Sequence, residues 1–129
     1  MRTVGRPECK RGKDVDTLQV SARFPNIAKD KLDEFKKLVA EAVEITKGEP
    51  GCLQYDWFLS ADETVCEARE TYADSDAVLA HMAGTGELLG RLIELGGGIR
   101  IECFGSPSQT LLTAAAALQP VVYSHLQGK

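Results

Sequence analysis

EPGCLQYDWFLSADETVCEARETY (residues 49–72) contains two runs of strand-forming residues separated by a short polar link. Cys52 to Ser60 and Thr64 to Tyr72 are joined through Ala61, Asp62 and Glu63, and so short a connection predicts an antiparallel hairpin. In the first run Leu53, Tyr55, Trp57 and Leu59 alternate with polar or outward residues; in the second, Cys66, Ala68, Glu70 and Tyr72 alternate with Glu67 and Arg69. Side chains along a strand point to opposite faces in turn, so Tyr55 and Trp57 share one side of a sheet, as do Glu70 and Tyr72.

Working outward, DTLQVSARF (Asp16 to Phe24) alternates Leu18, Val20, Ala22 and Phe24 with Thr17, Gln19, Ser21 and Arg23, which predicts a half-buried strand ended by Pro25. From Ala28 to Lys47, Leu32, Phe35, Leu38, Val39, Ala42 and Val43 recur at three- and four-residue steps. That spacing predicts an amphipathic helix capped by Asn26 and stopped by Gly48 and Pro50. After the hairpin the helical period returns: Asp74 or Ser75 caps a helix with Val78, Leu79 and Met82 on one face. Gly84 and Gly86 interrupt it, ELLGRLIEL resumes the spacing and Gly96 to Gly98 end it, so a bent or split helix is expected. IRIECFG (Ile99 to Gly105) reads as a fourth strand, SQTLLTAAAALQ as a short helix and VVYSHL, after Pro120, as a last strand.

The order β-α-β-β-(helix)-β is that of an α+β, ferredoxin-like antiparallel sheet with helices on one face. The other face then needs a cover, which a second copy of the chain can supply across a two-fold axis, with the last strand added to the partner's sheet edge. Three segments are expected: a basic flexible arm at 1–14, the folded domain at 15–106, and an extension at 107–129 packed on the dimer partner.

A chain of 129 residues with 43% apolar and 26% charged content can bury a single core and lies far from disordered composition. The net charge of −4 hides a basic stretch, Arg2, Arg6, Lys10, Arg11 and Lys13, ahead of an acidic body, which argues against nucleic acid as the main partner. No apolar run reaches membrane-span length. Cys9, Cys52, Cys66 and Cys103 form no CxxC pair and no apolar segment follows the basic start as in a signal peptide, so reduced thiols and a cytoplasmic location are expected. GTGELLG (84–90) follows a helix where a dinucleotide-binding glycine loop would follow a strand, and is read as helical.

EPGCLQYDWF, EARETYADSDAVLAHMAG and IRIECFG, in that order and followed by a short helix and a strand, resemble the antibiotic-biosynthesis monooxygenase family, its quinol-monooxygenase branch above all. The resemblance spans Asp16 to Leu126. It implies a dimeric α/β barrel with a pocket between sheet and helices, and oxidation of an aromatic quinol or phenol by molecular oxygen without metal or other cofactor. An electron-rich phenolate can itself reduce oxygen, leaving the protein to bind, deprotonate and shield it. Two departures are visible: Tyr72 stands where many relatives have tryptophan, and Gly86 where a second histidine is often found. The haem-binding branch is thereby disfavoured.

The resemblance turns Tyr55, Trp57 and Tyr72 into an aromatic wall for a small aromatic substrate, with Tyr55 in the pocket and Trp57 at its margin or sealing the core. Glu70, inward-facing, either ties down a polar network or acts as a base with a raised pKa. His81 is the expected general base for a phenolic proton. The same groups suit a second class, a non-oxidative small-molecule binder or isomerase that moves a proton without oxygen.

Overall fold

The computed structural model describes residues 16–129; the basic arm and Cys9 lie outside them. The elements are β1 (Leu18–Phe24), a 3₁₀ turn (Lys29–Lys31), α1 (Leu32–Thr46), β2 (Cys52–Leu59), β3 (Cys66–Tyr72), α2 (Ser75–Leu95), β4 (Arg100–Phe104), α3 (Gln109–Ala114), a second 3₁₀ turn (Ala116–Leu118) and β5 (Val121–Tyr123). They form one sheet of order β2-β3-β1-β4-β5, the expected α+β, ferredoxin-like arrangement. Its first four strands are antiparallel, but β5 lies parallel to β4 of the same chain. The chain reaches that edge through α3 and a 3₁₀ turn, a crossover where an antiparallel partner would need only a hairpin.

Register places the inner face in rows. Tyr55 pairs with Glu70, Glu70 with Val20 and Val20 with Cys103; in the next row Trp57 pairs with Ala68, Ala68 with Ala22 and Ala22 with Ile101. Leu53 departs from the expected alternation. A bulge between Cys52 and Gln54 leaves it 60% exposed, while Cys52 takes the place opposite Tyr72 and packs inward.

The helices cover this face. On α1 the buried residues are Phe35, Leu38, Ala42 and Thr46, and on α2 Val78, His81, Thr85 and Leu92, each set spaced as one helical stripe. The expected break in α2 is absent: the helix is continuous. Asp74 caps its start by accepting from the Ala77 N–H at 2.9 Å, and Gly86 and Gly90 face open space. Each mid-helix glycine costs roughly 1 kcal/mol against alanine, which burial of the stripe outweighs. Asn26 does not cap α1; its backbone N–H donates to Gly96 O, and the helix grows from the preceding 3₁₀ turn, which starts at Ala28 without a side-chain cap.

Two apolar clusters result. Phe24, Phe35, Leu38, Ala68 and Leu92 form one; Leu18, Tyr72, Val78, Cys103 and Leu111 form the other. Cys52, Cys66 and Cys103 are free thiols. Among the described residues no helix is long and apolar enough to cross a membrane.

Candidate functional site

Between the inner face of the sheet, α2 and the segment from Pro107 to Val122 lies a cavity of about 100 Å³. Each element delivers polar groups by its own periodicity. β3 presents Glu70 and Tyr72 two residues apart, β2 sets Tyr55 opposite Glu70, and α2 adds His81 and Thr85 one turn apart.

His81 is held from two sides. Its Nδ1 lies 2.8 Å from Glu49 Oε1 and 3.5 Å from Thr46 Oγ1, whose hydroxyl donates to Ala42 O at 2.8 Å. A carboxylate can only accept, so the proton sits on Nδ1 and the lone pair of the neutral ring on Nε2. The backbone is fixed as well, since Thr85 Oγ1 donates to His81 O at 2.8 Å. The imidazole meets Tyr55 edge-on at 5.0 Å between ring centres and tilts against Tyr72 at 5.5 Å.

Opposite stands a second pair: Tyr72 Oη donates to Glu70 Oε1 at 2.5 Å. Burial pushes the Glu70 carboxyl above the ordinary carboxylate range; the Tyr72 hydrogen bond and the nearby His81 oppose the rise, and Glu49 adds to it. Burial, then the neighbouring Glu70 charge, also pushes Tyr55 and Tyr72 upward, so both phenols keep their protons at neutral pH. The cavity thus carries an imidazole bonded to Glu49 and, facing it, a carboxyl whose proton affinity is raised by burial, groups from which acid and base roles can follow.

All five residues singled out in the sequence line this cavity. Trp57 combines both expected positions: it packs against the first apolar cluster, stacked on Phe24 at 5.6 Å, and also faces the cavity. Its Nε1 is the one buried side-chain nitrogen or oxygen among the described residues without a hydrogen-bond partner. Glu49 and Thr46 were not legible as site residues. Thr46 could have been flagged as a polar residue continuing the stripe Phe35, Leu38, Ala42; Glu49 sits in a turn, where no periodicity points toward a histidine 32 positions later. Among the described residues, no three His, Cys, Asp or Glu side chains are grouped to hold a metal ion.

The raised pKa of Glu70 has a thermal consequence. The folded chain keeps this proton to a higher pH than the unfolded chain, whose glutamates titrate near ~4.3. Its stabilising contribution is complete below that value and is lost as pH rises through the folded pKa. Glu70→Gln, which retains an acceptor for Tyr72, is expected to flatten the fall of Tm with pH above the carboxylate range. An unchanged slope in melts across that range would mean that Glu70 ionises in the fold as it does in the unfolded chain.

A family model described as antibiotic biosynthesis monooxygenase matches residues 18–86. Among solved structures, the chain is similar to MupZ from Pseudomonas fluorescens, with 27% identity over 88% of this chain and 93% of that one and a TM-score of 0.75. It shares its fold with SnoaB, a cofactor-independent oxygenase from Streptomyces nogalater, at 18% identity over 73% of this chain and 96% of that one, TM-score 0.60. No curated protein sequence matches the chain.

Proposed function

Because the chain belongs to the antibiotic biosynthesis monooxygenase family, we propose that it oxidises a small aromatic quinol or phenol with molecular oxygen, needing no metal or organic cofactor. The observation that carries this reading is the mostly apolar cavity in which an imidazole anchored by Glu49 faces the Glu70–Tyr72 pair. His81 Nε2 takes a phenolic proton. The phenolate passes one electron to oxygen, and the two radicals join at a ring carbon as a hydroperoxide. His81 having returned its proton to the peroxide, the ring carbon loses its hydrogen as a proton while the O–O bond breaks, leaving one oxygen on the ring as a carbonyl and expelling the other as hydroxide, which that proton, relayed by Glu70, converts to water. The balance is hydroquinone plus O₂ to hydroxyquinone plus H₂O. Trp57 Nε1, buried without a partner, is a donor for a substrate oxygen, and Tyr55 and Tyr72 wall the ring. That SnoaB is a cofactor-independent oxygenase supports the absence of a cofactor here.

Two copies pair through the outer sheet face, where Phe58 is 57% and Phe104 38% exposed. The extension at 107–129 takes part through its exposed last residues, 124–129. The free thiols of Cys52, Cys66 and Cys103 support a cytoplasmic location.

One observation favours a second reading. A carboxyl whose proton affinity is raised by burial, facing a histidine, is an acid–base pair sufficient for a non-oxidative isomerisation. Oxygen uptake on a panel of hydroquinones in metal-free buffer separates the two. One O₂ consumed per substrate, without hydrogen peroxide, is expected; conversion of substrate with no oxygen uptake would establish the second reading.

A further inference from the structure

The ionisable groups of the cavity, Glu70, Tyr55, Tyr72 and His81, gather at one end, next to Cys103. The cavity's α2 wall runs from Val78 to Leu92, fourteen steps of ~1.5 Å, or roughly 21 Å, far longer than a single quinol ring. His81 and Thr85 lie in the first half of that wall; from Leu88 onward the helix contributes leucine alone. The sheet repeats the gradient in register. The row Tyr55–Glu70–Val20–Cys103 holds the carboxyl, whereas beyond it Ala22 and Ile101 face the cavity, followed by Phe24 and Ile99. Ala22 is a small residue between the larger Val20 and Phe24, so the sheet floor is lowest where it is least polar.

The roof of the cavity is Leu112, Ala115, Leu118 and Val122, all beyond the family-matched segment 18–86; Val122 stands beside Cys103 of the polar row, and because Val121 pairs with Glu102 the chain before it extends toward Ile101. The roof is fixed at its two ends, the later one by the pairing of Val121–Tyr123 with β4. Ser108 N donates to Ser75 Oγ and Gly105 N to Tyr123 O, both at 2.9 Å, and Leu111 is buried, but the turn Ala116–Leu118 buries no residue. A cavity of about 100 Å³ is smaller than the ~150 Å³ that accepts one benzene ring, so a ligand enters by displacing a wall, and the turn Ala116–Leu118 is the part of this roof that buries no residue.

We propose that the substrate is an amphiphile: an oxygenated ring held at the Glu70–Tyr72–His81 end and an unbranched apolar tail lying along α2 beneath residues 111–122. The inference rests on the reading of the polar end as the reactive one, but the tail site itself requires only binding. The ring supplies the hydrogen-bonding groups, to which Trp57 Nε1 in the adjoining row can donate, and the tail lies along the apolar side chains beyond it.

Binding of hydroquinone and of its 2-methyl, 2-butyl and 2-hexyl derivatives, together with their unoxidisable dimethyl ethers, tests this by titration calorimetry or by the fluorescence of Trp57, the chain's single tryptophan. Affinity is expected to rise about threefold to fourfold per methylene in both series. Ala115→Phe, which fills the roof side, is expected to abolish that rise. An affinity independent of tail length, or a rise unaffected by Ala115→Phe, would overturn the tail site. Tail-dependent binding of the ethers alongside hydroquinones that consume no oxygen would uphold the tail site while overturning the oxidative reading.

Discussion

Replacing His81 by alanine is expected to lower the rate of quinol oxidation by about 10²–10⁴-fold, the range that a positioned acid–base group supplies. The size follows from geometry. Nδ1 is committed to Glu49 at 2.8 Å, so Nε2 is the basic atom, and the carboxylate stabilises the imidazolium formed when it accepts a proton. The phenols cannot substitute, because burial and Glu70 raise both of them. Added imidazole is expected to restore part of the rate to His81→Ala, which a purely structural role would not allow. Glu49→Gln, keeping an acceptor but losing the charge, is expected to lose less than His81→Ala. Turnover by His81→Ala at the wild-type rate, with an intact circular-dichroism spectrum, would remove the imidazole from the mechanism.

Phe24→Ala is expected to cost about 3–5 kcal/mol of folding stability, the usual toll for deleting a fully buried aromatic ring. Phe24 is 0% exposed at the end of β1; its ring meets Phe35 of α1 edge-on at 5.4 Å and stacks on Trp57 of β2 at 5.6 Å. Gly96 closes over it so tightly that a Cβ there would stand 2.7 Å from the Phe24 Cβ. One ring therefore joins sheet, first helix and the turn after the second, and little around it can collapse into the space. Urea denaturation measures the loss; a value below about 1 kcal/mol would mean that Trp57 and Phe35 relax into the gap.

These two residues differ in how far the chain announces them. Phe24 ends a clean period-two run that alone assigns it to the interior, whereas His81 is reached through the family resemblance: the face expected from spacing is Val78, Leu79 and Met82, and the stripe that is buried is Val78, His81, Thr85 and Leu92. Glu49 is different: its role exists only once α1 and α2 pack, a contact that no spacing encodes. The continuity of α2 was hidden for a related reason. Gly84 and Gly86 lower local propensity, whereas burial of the opposite face, a tertiary effect, holds the helix together. The strand residues at the polar end of the cavity were thus readable from alternation, but its roof, built by residues 111–122, depends on where a crossover lays the chain.

The bulge at Leu53 bears on how this chain can change length. Cys52 pairs with Tyr72 and Gln54 with Thr71, so the strand is already in proper alternation if Leu53 is skipped. Losing that codon would leave a regular strand with Tyr55 and Trp57 still turned inward. Losing one between Tyr55 and Trp57 would rotate one of the pair to the outer face and dismantle the cavity wall. Insertions and deletions among relatives should therefore collect at this single position, ahead of the segment Gln54–Leu59, whose length is fixed by what it must point at.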